Sequence, residues 1–198
     1  MSAATVTIHE PELQWRASAR GRLGMYCLIA AEAAIFTIFV VAYLFYMGKS
    51  HSGPTPQQVL HVPILFTICL LSSSLTIHLA VRSLRKSKTG AFARWWFLTL
   101  FLGTTFLAGT VVEWRHLIYD EGLTIQTNLF GTTYYSLVGL HAFHVLMGLL
   151  ALGIVWLFAM FGRVKREHAE RVDTLALYWH FVDTVWVVVF LVVYVIGR

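Results

Sequence analysis

Several ionisable residues of this sequence stand inside long apolar runs: Glu32, Glu113, His141, His144, His180 and Asp183, with His78 near the end of another run. A charged or ionisable side chain in such surroundings costs a few kcal/mol, so each calls for a partner or a task. Glu32 has Ala30, Ala31, Ala33 and Ala34 as neighbours and no local partner. His180 and Asp183 are three residues apart, one helical turn, and so share a face. The same spacing joins His141 to His144, while Glu113 has Arg115 and His116 close by.

These residue types allow two kinds of chemistry besides a structural role. As structural groups they would hydrogen-bond between helices and fix a bundle, the reading favoured for His141, His144 and Glu113. Glu32, Asp183 and His180 could instead form a proton-handling cluster, since buried acids exchange protons. The histidines could ligate haem or a binuclear metal, and the His141–His144 spacing would suit one metal face. Glu32 and Asp183 make a poor carboxylate set for the latter, which disfavours a bound metal. No CxxCH, nucleotide loop or nucleophile elbow occurs.

The elements that must position these residues follow from composition. Of 198 residues, 58% are apolar and 13% charged, against about half and a quarter in soluble chains. Too little polar surface remains to cover the chain in water. A bilayer core about 30 Å thick takes roughly 20 apolar residues as a helix, which satisfies every backbone group internally. Five segments meet this: Leu23–Met47, Val62–Val81, Trp95–Leu117, Tyr134–Phe161 and Thr174–Ile196. The predicted fold is all-α, a polytopic bundle of five transmembrane helices. Residues 1–22 form a polar tail, without a stretch of signal-peptide type, and residues 23–198 the membrane domain.

On this reading Glu32 and Asp183 each lie about nine residues, roughly 13 Å, into helices running the same way. Their carboxyl groups are expected at similar depth, in the inner half of the membrane. Small residues at helical spacing, Ala30 with Ala34 and Gly139 with Gly148 and Gly153, predict close helix approach. Cys27 and Cys69 both fall in apolar runs and read as small buried hydrophobes.

Lys and Arg are unevenly divided between the two sides. Twelve lie in the tail, in Arg82–Arg94 and in Gly162–Asp173, whereas only Lys49, Arg115 and Arg198 fall on the other side. Positive residues stay inside, so the tail is expected in the cytoplasm and the C-terminus outside. The net charge of +5 is therefore a topology signal and gives no support to nucleic-acid binding.

Two strings narrow the field: Gly139-Leu140-His141-Ala142-Phe143-His144-Val145-Leu146-Met147-Gly148 and Trp179-His180-Phe181-Val182-Asp183-Thr184-Val185-Trp186. In this order they resemble subunit III of the haem–copper respiratory oxidases, and the resemblance covers nearly the whole chain after the tail. Glu32 matches that family's buried membrane glutamate, and Glu113 with Arg115 and His116 matches a further family segment. Many members have seven helices; this chain looks like the five-helix form, lacking the first two. In the longer members that first pair splays from the rest around structural lipids. The departure leaves the Glu32 surface to lipid or to a neighbouring subunit.

The resemblance implies a non-catalytic subunit of a terminal oxidase in a bacterial-type inner membrane. Its complex would reduce oxygen and translocate protons, with cytochrome c or quinol as donor. This chain would carry no redox centre; haem and copper would reside in partner subunits, catalytic subunit I among them. Bound phospholipid is compatible with it. Glu32 is the proton-handling or lipid-facing candidate, and Asp183, His180, His141, His144 and Glu113 the interhelical polar network. The alternatives are a subunit III-like protein of nitric oxide reductase, a stand-alone proton channel or transporter, and a membrane cytochrome.

Overall fold

The computed structural model describes residues 10–50, 53–60 and 62–197, with side chains from residue 20 onward. The first nine residues of the tail, and Arg198, thus lie outside the described residues. The chain runs as α1 (Glu10–Tyr46), α2 (Pro56–Val59), α3 (Ile64–Arg85), α4 (Thr89–Tyr119), α5 (Leu129–Met160) and α6 (Ala169–Phe190). A single 3-10 turn, Arg166–His168, leads into α6, and a wider π-type turn, Leu191–Ile196, continues it. No strand occurs among the described residues. Among the described residues five helices are long and apolar enough to cross a membrane, as the sequence predicts.

The helices overrun the apolar segments that announce them. α1 begins at Glu10 rather than Leu23, and α4 spans Thr89–Tyr119 rather than Trp95–Leu117. Hydropathy marks the stretch that needs hydrocarbon, whereas the backbone ladder continues wherever the next residues are good helix formers. Lys86–Lys88 turns α3 back on α4, with Ser87 in the left-handed region at φ 60° and its N–H bonded to Leu84 O at 2.9 Å. At the opposite end the loop after α1 is pinned to the start of α5. Asn128 caps α5 by accepting from Gly131 N at 2.8 Å and donates to Pro54 O at 3.2 Å.

Helices α5 and α6 share the centre, α6 packed against α1, α3 and α5 and α5 against α1, α4 and α6, while α3 and α4 form a closely packed pair. Trp179 shows how the packing is specified. A Cβ added to Gly103 on α4 or to Gly148 on α5 would stand 2.9 Å from its indole ring. Only a residue without a side chain leaves the slot open. The indole N–H donates to Ser73 Oγ on α3 at 2.8 Å, so this one fully buried residue joins three neighbouring helices. Gly148 thus brings helices together as expected, whereas Gly153 faces open space.

Among the described residues helix α1 is the least embedded of the five, with Phe36 and Tyr43 its buried side chains. Cys27 lies on its exposed face, contrary to the expectation of a buried hydrophobe, because that face meets no other helix of this chain; Cys69 is half-buried and both thiols are free.

Candidate functional site

The embedded polar residues resolve into three clusters. In the first, α1 brings Glu32 to α5, where Glu32 Oε2 lies 3.0 Å from His144 Nε2. His144 Nδ1 is 2.7 Å from the carbonyl oxygen of Leu140 in the preceding turn. A carbonyl only accepts, so Nδ1 carries the hydrogen of that bond. One further proton must lie between Nε2 and the Glu32 carboxyl, on one atom or the other. The pair is well shielded, with side-chain exposures of 8% for His144 and 23% for Glu32. Phe36, one turn along α1, tilts over the imidazole at 5.0 Å between ring centroids.

The second cluster joins α3 to α6. Ser74 Oγ lies 3.0 Å from His180 Nδ1 and also donates to Asp183 Oδ2. Asp183 is buried, and its Oδ1 makes no hydrogen bond among the described residues. His180 and Asp183 therefore act together, as their spacing predicts, but through a serine that sequence reading missed. A signal was present: Ser72, Ser73 and Ser74 form a polar run within an otherwise apolar span.

Glu113 heads the third cluster. It accepts from the Tyr194 hydroxyl at 2.9 Å and from the Tyr134 hydroxyl at 3.4 Å. The π-type turn carries Tyr194 and α5 carries Tyr134, so the carboxyl ties two other elements to α4. Glu113 and His116 have the Glu-x-x-His spacing of di-iron bundles, a match that sequence reading passed over. His116 is nevertheless 48% exposed and lies 3.9 Å from Asp120, while Glu113 engages the tyrosines.

His141 belongs to none of these. It is fully buried, stacked on Trp186 at 4.9 Å and met edge-on by Phe106 at 5.8 Å, and neither ring nitrogen has a hydrogen-bond partner among the described residues. Among the described residues no group of three or more His, Cys, Asp or Glu side chains converges as a metal-ligand set. Apart from His141, the carboxylates and imidazoles of the three clusters are engaged pairwise or by hydroxyl groups.

At the end of the bundle bearing the basic connections, Asp173 Oδ2 accepts from Arg22 Nη2 at 2.7 Å and pairs with Arg85 Nη2 at 2.9 Å. One carboxylate thereby joins the end of α3 and the beginning of α6 to the flank of α1.

A bundle of five membrane-spanning helices with polar pairs in its interior defines a multi-pass integral membrane protein. The family model for cytochrome c oxidase subunit III matches residues 16–198, and the chain belongs to that family. It is 33% identical to cytochrome c oxidase subunit 3 of Alkalihalophilus pseudofirmus, over 92% of this chain and 91% of that protein. Its identity to cytochrome c oxidase subunit 3 of a Synechocystis species is 37%, over 87% and 74% of the two chains. A Staphylococcus aureus protein named probable quinol oxidase subunit 3 is 32% identical over 100% of this chain and 98% of its own length. These names do not favour the nitric oxide reductase, transporter or cytochrome alternatives.

Proposed function

We propose that this chain is the non-catalytic core subunit III of a proton-pumping haem–copper terminal oxidase in aerobic respiration. It packs against catalytic subunit I and sustains that subunit's assembly, stability and proton uptake. The observation that carries the reading is the shielded Glu32–His144 pair in a chain of the subunit III family. A carboxyl and an imidazole sharing a proton inside the bundle can hold or release it without any metal.

The haems and copper that reduce oxygen reside in the partner subunits. The engagement of Glu32 by His144, and of His180 and Asp183 by Ser74, does not suit those groups as ligand sets. Membrane lipid is a further partner, fitted to the exposed apolar face of α1. The excess of Lys and Arg beside Arg85 and Arg166 supports placing that end in the cytoplasm and the C-terminus outside.

Co-purification tests this directly. A tag on this chain is expected to bring down a haem-bearing catalytic subunit from mild detergent, and the chain alone is expected to show no Soret band. Recovery of the tagged chain free of any oxidase, or with haem of its own, would overturn the proposal.

A further inference from the structure

The Ser74 cluster adjoins a cavity of ≈ 280 Å³ at the basic end of the bundle. Arg22 and Tyr26 of α1, His78 of α3, and Asp173, Thr174 and His180 of α6 line it. Arg85 of α3 reaches the same place through its ion pair with Asp173, and α5 contributes no lining residue. The cavity therefore opens beside charged, half-exposed side chains and has His180 in its wall. His180 turns Nδ1 to Ser74, while Nε2 has no hydrogen-bond partner among the described residues.

We propose that this cavity is a proton port, and that His180 and Ser74 relay a proton from it to Asp183. With Asp183 ionised, the Ser74 hydroxyl donates to Asp183 Oδ2 and accepts from His180 Nδ1–H, which leaves a lone pair on Nε2. A proton taken from the cavity onto Nε2 makes the ring cationic. The Nδ1 proton then passes to Ser74 Oγ as the Ser74 proton passes to Asp183 Oδ2. The end state is a neutral imidazole protonated on Nε2, a neutral serine whose new O–H points to Nδ1, and a protonated Asp183. One proton has left the cavity and one rests on the carboxyl; return through the same atoms reverses each step.

Geometry favours this direction of loading. Ser74 and His78 are one turn apart on α3, as His180 and Asp183 are on α6, so each helix offers one group near the cavity and one deeper. Burial closes the direct route to Asp183, which leaves Ser74 as its hydrogen-bonded contact. The relay deepens the proposed function, resting on it for physiological use; the exchange itself is a property of this chain.

Infrared spectroscopy on the purified complex transferred to D2O tests the relay. The carboxylic C=O band of Asp183 is identified by its loss in Asp183→Asn, or by its displacement in Asp183→Glu should the amide fail to assemble. Its hydrogen–deuterium exchange is expected to slow on the order of a hundredfold in Ser74→Ala and in His180→Phe. Ser74→Thr, which keeps the hydroxyl, is expected to exchange like the native protein. Equal exchange in Ser74→Ala and native protein, or no protonated Asp183 band in the native protein, would overturn the relay. Unchanged exchange with normal oxygen turnover removes the relay and leaves the proposed function. Slowed exchange in a chain that purifies without any oxidase does the reverse.

Discussion

His144 holds Glu32 with one ring nitrogen and its own backbone with the other, at 3.0 Å and 2.7 Å. The pair is neutral overall whether the shared proton sits on the carboxyl or the imidazole. That is how two ionisable groups can lie in hydrocarbon without the full penalty of an isolated charge.

Glu32→Gln should keep the contact and lose the proton transfer. The amide N–H donates to His144 Nε2, so the variant should assemble with a stability change of about 1 kcal/mol or less. Sustained oxygen turnover or proton delivery is expected to fall in the purified complex. Native kinetics over many turnovers would count against the proton role of Glu32.

Asp183→Ala should lower the amount of assembled subunit. It strips the half-buried Ser74 hydroxyl of its carboxylate acceptor, a loss of about 1 kcal/mol or more. Quantifying the subunit in purified membranes checks this, and a native yield would remove the structural part of Asp183's role.

Gly148→Val and Gly153→Val make a matched pair. The first drives a side chain into Trp179, which already lies 2.9 Å from an ideal Cβ, whereas the second projects into open space. Overpacking costs about 1–3 kcal/mol, so the melting temperature in detergent should drop for Gly148→Val and hold for Gly153→Val. Similar melting of both variants would mean that the Trp179 slot does not govern packing.

Asp173→Asn should be mild and salt-dependent. The two arginine side chains are 43% and 56% exposed, and pairs this open contribute up to about 1 kcal/mol each. Native and variant proteins should differ most in low salt and converge as screening rises. A deficit that persists in high salt would point to a role beyond charge.

The membrane architecture was legible in the sequence because hydrocarbon imposes one rule on every residue of a span. Pairings between helices answer to packing instead, and a linear reading sees little of that. Glu32 showed no local partner, and its partner proves to be 112 residues away. His180 and Asp183 could be joined because they are neighbours on one helix. Ser74, which bridges them, comes from another helix, and its run of three serines does not tell which helix they face. Glu113 was read beside Arg115 and His116, its neighbours in sequence, yet it meets two tyrosines that only the folded chain brings near.

The wide turn at Leu191–Ile196 has a consequence for how the chain tolerates length changes. A π-type winding takes up more residues per turn than the ordinary helix before it, and so sets the angular phase at which Tyr194 emerges. Deleting one residue there while the wide winding persists would swing the phenol by roughly a quarter turn, parting it from Glu113 even though every side chain on α4 stayed in place. Spacing near the end of the chain is thus as much a part of the Glu113 cluster as the identity of its members.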